Sequence, residues 1–184
     1  REVNRLGEVV WTWSAFDHLT PVTFPGPLSS APNAQGGFHD WTHANALVHE
    51  PGTDSVLLSL RHQNQVVRIA RPSGEVTARI GSGGDHALAV GEWFYSQHSH
   101  EWGPSGRLLL YDNGTERVDP QTGERLGAGE RYSRAVVYDV DAASRVLTEV
   151  WSYQVPEFTV FVGDADHLAG GNVLVCAGGV RGGN

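Results

Sequence analysis

The sequence predicts an all-β fold built from repeated antiparallel meanders, read as part of a β-propeller. Three observations carry this. Helical periodicity is weak along the whole chain, and short alternating or apolar runs that end in turn residues dominate. These runs come in groups, with only brief turn sequences inside a group. The grouping also recurs, with 51 residues from Leu58 to Leu109 and 65 from Leu109 to Leu174. Repeats of roughly 40–50 residues, each holding four antiparallel strands, are the mark of propeller blades with loop insertions.

Taken in order, GEVVWTWS (7–14) reads as the last strand of a unit, matching GEVTARIG in position. VLLSL (56–60), QVVRIA (65–70) and EVTARIG (75–81) follow as one meander, with Pro-Ser-Gly as the tight turn before the third run. RLLLYD (107–112), RAVVYDV (134–140) and RVLTEVWSY (145–153) repeat that order, and NVLVCAGG (172–179) begins a third unit. Loops 14–42, 82–96 and 113–133 fall between units, where propellers gather functional residues around their axis. Three partial units do not close a ring that needs at least four blades, and open sheet edges invite aggregation. Residues 1–184 are therefore expected to be a fragment of a single propeller domain, with earlier and later blades outside it. A β-sandwich is the alternative, since regularly spaced short strands fit it as well.

At 184 residues the chain is long enough to bury a core. The formal charge of −8, without a basic patch or Lys/Arg run, excludes a nucleic-acid or anionic-membrane surface. It leaves room for a small anion, because one buried arginine outweighs a distant surface field. No apolar stretch approaches the ~20 residues that cross a bilayer, so no membrane insertion is expected. The single cysteine, Cys176, cannot form an internal disulfide and reads as a small buried hydrophobe. The chain has no methionine and no signal-peptide pattern at its start, which predicts that the native N-terminus lies further upstream.

Polar residues gather at strand ends. FHDWTHAN (38–45) holds His39, Asp40, His43 and Asn45; LRHQNQ (60–65) holds Arg61 and His62; YSQHSHEW (95–102) holds His98 and His100. His43 and His98 each precede their unit's apolar run by ten to fifteen residues, so the repeat places them equivalently. Equivalent strand ends meet near a propeller axis, which predicts that His43, Arg61 and His98 converge. A metal site built on His39, His43, His98 and His100 is the competing reading. The spacing of His39 and His43 converges only on a helix, and this stretch reads as a loop entering a strand. His98 and His100, two apart, would share a face of a strand, but Arg61 nearby would repel a cation. No metal is expected. Asp112 and Asn113 in YDNG read as a turn. Arg134 reads either as an ion-pair partner or as a second anion contact. Trp93 and Trp102 flank His98 as candidate walls of an aromatic pocket. On the residues alone, a group-transfer enzyme, a ligand-binding propeller and a metal-dependent hydrolase or lyase all remain open.

The segments GEVVWTWSAFDHL, HDWTHANAL, LLSLRHQNQVVRI, YSQH, LLLYDNG, SRAVVYDVD and GNVLVCAGG, in this order, resemble the bacterial arylsulfate sulfotransferases that work without a nucleotide sulfate donor. The resemblance runs from about residue 7 to 180 and implies a six-bladed propeller with its site at the central channel. It implies that His98 is the nucleophile that takes a sulfuryl group from a phenolic sulfate and passes it to a phenol. It matches His43 and Asn45 of THAN to a His-x-Asn segment whose histidine lies beside the sulfate, and it places Arg61 on the sulfate oxygens. Arg134, to which the resemblance assigns no role, is kept as a substrate-binding candidate on its own reading as an anion contact. A further active-site histidine of the family would lie in an earlier blade. The chemistry fits these residue types: charge spreads over terminal oxygens in a loose transition state, a guanidinium fork suits two of them, and a neutral imidazole is a competent nucleophile. Neither metal nor nucleotide is implied. Family members are often exported, so the periplasm is what the resemblance alone implies, and the residues themselves show no export.

Overall fold

The computed structural model describes residues 1–20, 40–103 and 106–180; His39 lies outside them. The described residues are nearly all strand and connecting loop. A first hairpin pairs β1 (Glu2–Val3) with β2 (Val9–Trp11), followed by a single helical turn at Ala15–His18. A four-stranded antiparallel meander then runs β3 (Ala44–Glu50), β4 (Ser55–Leu60), β5 (Gln65–Ala70) and β6 (Val76–Gly81). After β7 (Ala87–Val90) a second meander runs β8 (His98–Gly103), β9 (Arg107–Asp112), β10 (Arg134–Asp141) and β11 (Val146–Gln154). β7 joins its outer edge, parallel to β11. A last hairpin pairs β12 (Asp164–His167) with β13 (Val173–Cys176).

The two meanders repeat one pattern, and the reason their strands lack polar alternation is visible in the packing. Leu57 and Val66 of the first sheet meet Leu108, Leu110, Val136, Tyr138 and Leu147 of the second in one interior cluster. The opposite face of the second sheet, with Leu109, Tyr111, Ala135 and Val137, packs on Ala165 of the β12–β13 hairpin. The opposite face of the first sheet, with Val56, Leu60, Val67 and Ile69, packs against Leu19 and Trp41, flanked by Trp11 and Trp13. Covered on both faces, a strand keeps a continuous apolar run, and burying each such Leu or Ile side chain stabilises the fold by roughly 1.5–3 kcal/mol.

Three expectations are corrected. Cys176 is exposed: the hairpin has only one face covered, and Cys176 and Leu174 point to the other. Residues 87–90, expected within a long loop, form β7. Trp93 and Trp102, expected as walls of an aromatic pocket, pack on the inter-sheet cluster, and the Arg68 guanidinium sits 4.9 Å over the Trp102 ring. Among the described residues no helix is long and apolar enough to cross a membrane.

Candidate active site

His98 opens β8, the first strand of the second meander, while His43 stands one residue before β3, the first strand of the first. Arg61 follows the last residue of β4, and Asn113 follows the last residue of β9. The repeat therefore delivers all four to the same rim of adjacent sheets. The segment 159–162, which leads into β12, lies across that rim and binds three of them. The Val160 carbonyl accepts from Arg61 Nη2 at 2.8 Å, the Val162 N–H lies 3.3 Å from His98 Nε2, and the Val162 carbonyl accepts from Asn113 Nδ2 at 2.8 Å. Val162 holds φ at +53°, a rare conformation for a β-branched residue.

The approach to His98 is pinned to the first sheet. Gln97, fully buried, donates to Ser59 Oγ at 3.0 Å and to the Gln65 carbonyl at 2.9 Å. The Ser96 N–H donates to Asn64 Oδ1 at 2.7 Å, and Asn45 Nδ2 donates to the Gln97 carbonyl at 2.8 Å. His98 itself is buried, with Nδ1 2.7 Å from Asn113 Oδ1. Burial pushes its pKa down to about 4, the fields of Arg61 and His43 act in the same direction, and the Asn113 hydrogen bond opposes them. The ring is thus neutral at pH 7. Because a backbone N–H can only donate, its contact leaves Nε2 as the acceptor and carrier of the lone pair.

His100 does not accompany His98. A bulge at Ser99, φ +39°, places His98 opposite Tyr111 and His100 opposite Leu110, so two residues that would share a face of a regular strand lie on opposite faces. His100 points into the protein, where neither ring nitrogen has a hydrogen-bond partner among the described residues. The shared-face expectation fails for that reason.

Arg61 is 3% exposed, and beyond its bond to Val160 its Nε is buried without a partner among the described residues. Burial lowers its pKa, while Glu116 and Asp40 partly offset that effect. A desolvated guanidinium with an unused donor is suited to an anion. His43, half-exposed, is held by Asp40: its backbone N–H donates to Asp40 Oδ1 at 2.9 Å, and its Nδ1 meets Asp40 Oδ2. Burial opposes ionisation of Asp40, yet the His43 hydrogen bond and charge hold its pKa below the usual carboxylate value. His62 is buried against the His43 ring, and burial lowers its pKa. Asp40, His43 and His62 have ligand atoms within 4.8 Å of one another. The two rings, however, lie with centroids 4.6 Å apart and planes tilted by 34°, and His62 Nδ1 meets the Asp40 carbonyl. They present faces to each other rather than lone pairs to one point.

The other two candidates differ from their expected roles. Asn45 has its donor end on Gln97 and its Oδ1 without a partner among the described residues, so it offers an acceptor where a sulfate oxygen needs a donor. Arg134 is enclosed by protein acceptors: Nε on Asp112 at 2.9 Å, Nη1 on Glu149 at 3.1 Å, Nη2 on the Glu92 carbonyl at 2.9 Å and on the Tyr138 hydroxyl at 3.2 Å. Its geometry is that of an ion-pair partner, which corrects the expectation of a second anion contact. Sequence reasoning missed Asn113, read as a turn, and the 159–162 segment; the signal available for Asn113 was its place just beyond a strand, as Arg61 lies beyond β4.

The arylsulfate sulfotransferase AssT of Escherichia coli O6:H1 (strain CFT073) is similar, 27% identical over a 144-residue alignment that covers 64% of this chain and 23% of that protein. The chain thus matches less than a quarter of that relative's length. The profile of the family described as Arylsulfotransferase (ASST) matches residues 1–184, and on that match along its whole length the chain belongs to the arylsulfotransferase family.

Proposed function

We propose that the rim site transfers a sulfuryl group from a phenolic sulfate ester to a phenol in two steps, through a sulfohistidine at His98, on stacked sheets that are blades of a propeller. One observation carries the reading: a neutral imidazole with its lone pair on Nε2 shares the 159–162 segment with a desolvated, incompletely bonded arginine. In the first step Nε2 forms a bond to sulfur as the ester S–O bond breaks, and its electron pair leaves with the phenolate. Arg61 Nε and the Val162 N–H, released from its long contact, face the sulfuryl oxygens. Donors fixed where charge develops are the largest common contribution to such catalysis. His43, oriented by Asp40, delivers a proton to the departing phenolate and takes one from the acceptor phenol in the second step; a positioned acid–base group contributes roughly 10²–10⁴-fold. The free Asn45 Oδ1 suits the hydroxyl of the acceptor better than the sulfate. The scheme uses no metal and no nucleotide.

The test is mass spectrometry of the protein quenched during incubation with a chromogenic aryl sulfate. A sulfo adduct is expected on the peptide bearing His98, and His98→Asn is expected to abolish both adduct and turnover. Turnover near the parental rate in His98→Asn would remove His98 from the nucleophile role.

A further inference from the structure

We infer that Asn113 is the positioning residue of this site: its side-chain amide fixes the His98 proton on Nδ1, keeps the lone pair on Nε2 and, being uncharged, leaves the imidazolium form without a counter-ion. The orientation of the amide follows from its partners. Asn113 Nδ2 lies 2.8 Å from the Val162 carbonyl and 3.1 Å from the Thr159 carbonyl, and carbonyls only accept. The oxygen end therefore faces His98 Nδ1, at 2.7 Å, and Nδ1 must be the donor. The Val162 N–H at Nε2 leads independently to the same tautomer.

The amide cannot turn. Asn113 is fully buried, its own carbonyl accepts from Ser133 Oγ at 2.8 Å, and that hydroxyl also accepts from the Thr159 N–H at 2.9 Å. Gly114, next in the chain, holds φ at +68° with the Tyr132 carbonyl crowding the place where a Cβ would stand, so the loop has one path. A carboxylate in the place of the amide would pair with an imidazolium, as in many hydrolases where the ring must gather a proton. Here the surroundings work against that form. Arg61 from the turn after β4 and His43 from ahead of β3 bring positive fields to the ring. Asp112, beside Asn113, is paired with Arg117 and Arg134. Tyr111, opposite His98 on β9, bonds Thr159 through its hydroxyl, and Asp164 on β12 is exposed.

The catalytic consequence rests on the sulfuryl-transfer reading; the tautomer does not. While the N–S bond exists, Nδ1 keeps its proton and the ring carries a positive charge beside the sulfonate. When the acceptor oxygen, its proton passing to His43, bonds to sulfur, the N–S electron pair returns to Nε2. A ring whose positive charge meets no carboxylate of the protein gives up the sulfuryl group readily, because departure discharges it.

Side-chain nitrogen NMR of the full chain tests the assignment without turnover. His98 is expected as the Nδ1–H neutral tautomer at pH 7, and Asn113→Asp is expected to raise its titration midpoint by roughly one to three pH units, the range for a carboxylate beside a cation. In turnover assays the acid limb of kcat/KM should move upward by the same interval. An Nε2–H tautomer in the unmodified protein, or an unmoved midpoint in a folded Asn113→Asp, would overturn the inference; should that variant not fold, the unmodified spectrum decides. An Nδ1–H ring without turnover or adduct would support the assignment and sink the transfer reading alone.

Discussion

Lowering the pH from 7 to 5 is expected to destabilise the protein by about 4 kcal/mol through His98 and His100, and His62, whose pKa burial also lowers, adds to the loss in the same direction. His98 and His100 both have pKa values pushed down to about 4 by burial, against 6.5 for a free imidazole. Between those values the unfolded chain binds protons that the folded chain refuses. Stability contributed by the neutral rings is therefore complete above pH 6.5 and is lost as pH falls toward 4. At pH 5 each ring accounts for about 2 kcal/mol, and below pH 4 the loss levels off near ~3 kcal/mol each, since every pH unit between the folded and unfolded midpoints is worth about 1.4 kcal/mol. Glu116, whose carboxyl is pushed up by burial, works in the opposite direction over part of this range. The difference between proteins is thus more telling than the absolute slope. His100→Leu removes a ring that has no hydrogen-bond partner among the described residues, so it should be at least as stable at pH 7. It should also lose about 2 kcal/mol less stability than the parent between pH 7 and pH 5. The assay is urea unfolding at steps from pH 7 to pH 4. A His100→Leu curve parallel to the parent's over pH 7–5 would refute the reasoning.

Asp112→Ala is expected to destabilise the fold by about 3–5 kcal/mol, the usual effect of removing one partner from a buried charge group. It would leave Arg117 and Arg134, both buried, without their shared carboxylate; chemical denaturation reads the loss. Arg61→Lys keeps a charge but loses the fork and the donor at Nε. Loss of one charge-assisted hydrogen bond, roughly 1.5–3 kcal/mol, lowers kcat/KM for an aryl sulfate by roughly ten- to a hundred-fold, while the thermal midpoint stays close to the parent's.

The meanders were legible because apolar runs of five to nine residues with turn residues between them have one economical reading. The runs 65–70 and 107–112 coincide with β5 and β9 to the residue. β12 was not legible: DADH has no apolar run, and it pairs because the second sheet covers Ala165. The bulge at Ser99 was hidden for a similar reason, since a positive φ at serine leaves no mark in composition. Of the site, the strand-end histidines and Arg61 stand out by chemical type. Asn113 and Val162 do not, because one resembles a turn residue and the other contributes only backbone. The distinction between the two roles of Arg134 depends on Glu149, Glu92 and Tyr138, which no sequence spacing connects to it.

The strap across His98 has a bearing on how the protein is made. Its contacts reach back 99 residues from Val160 to Arg61 and 64 from Val162 to His98, far beyond the local pairings inside either meander. Long-range closure of this kind is slow, because chain entropy must be lost before any contact repays it. During synthesis the first meander, which ends at Gly81, can form while residues 159–162 are still inside the ribosome. The rim is consequently completed after the first sheet, and a nascent chain has that sheet folded before its His98 ring is seated.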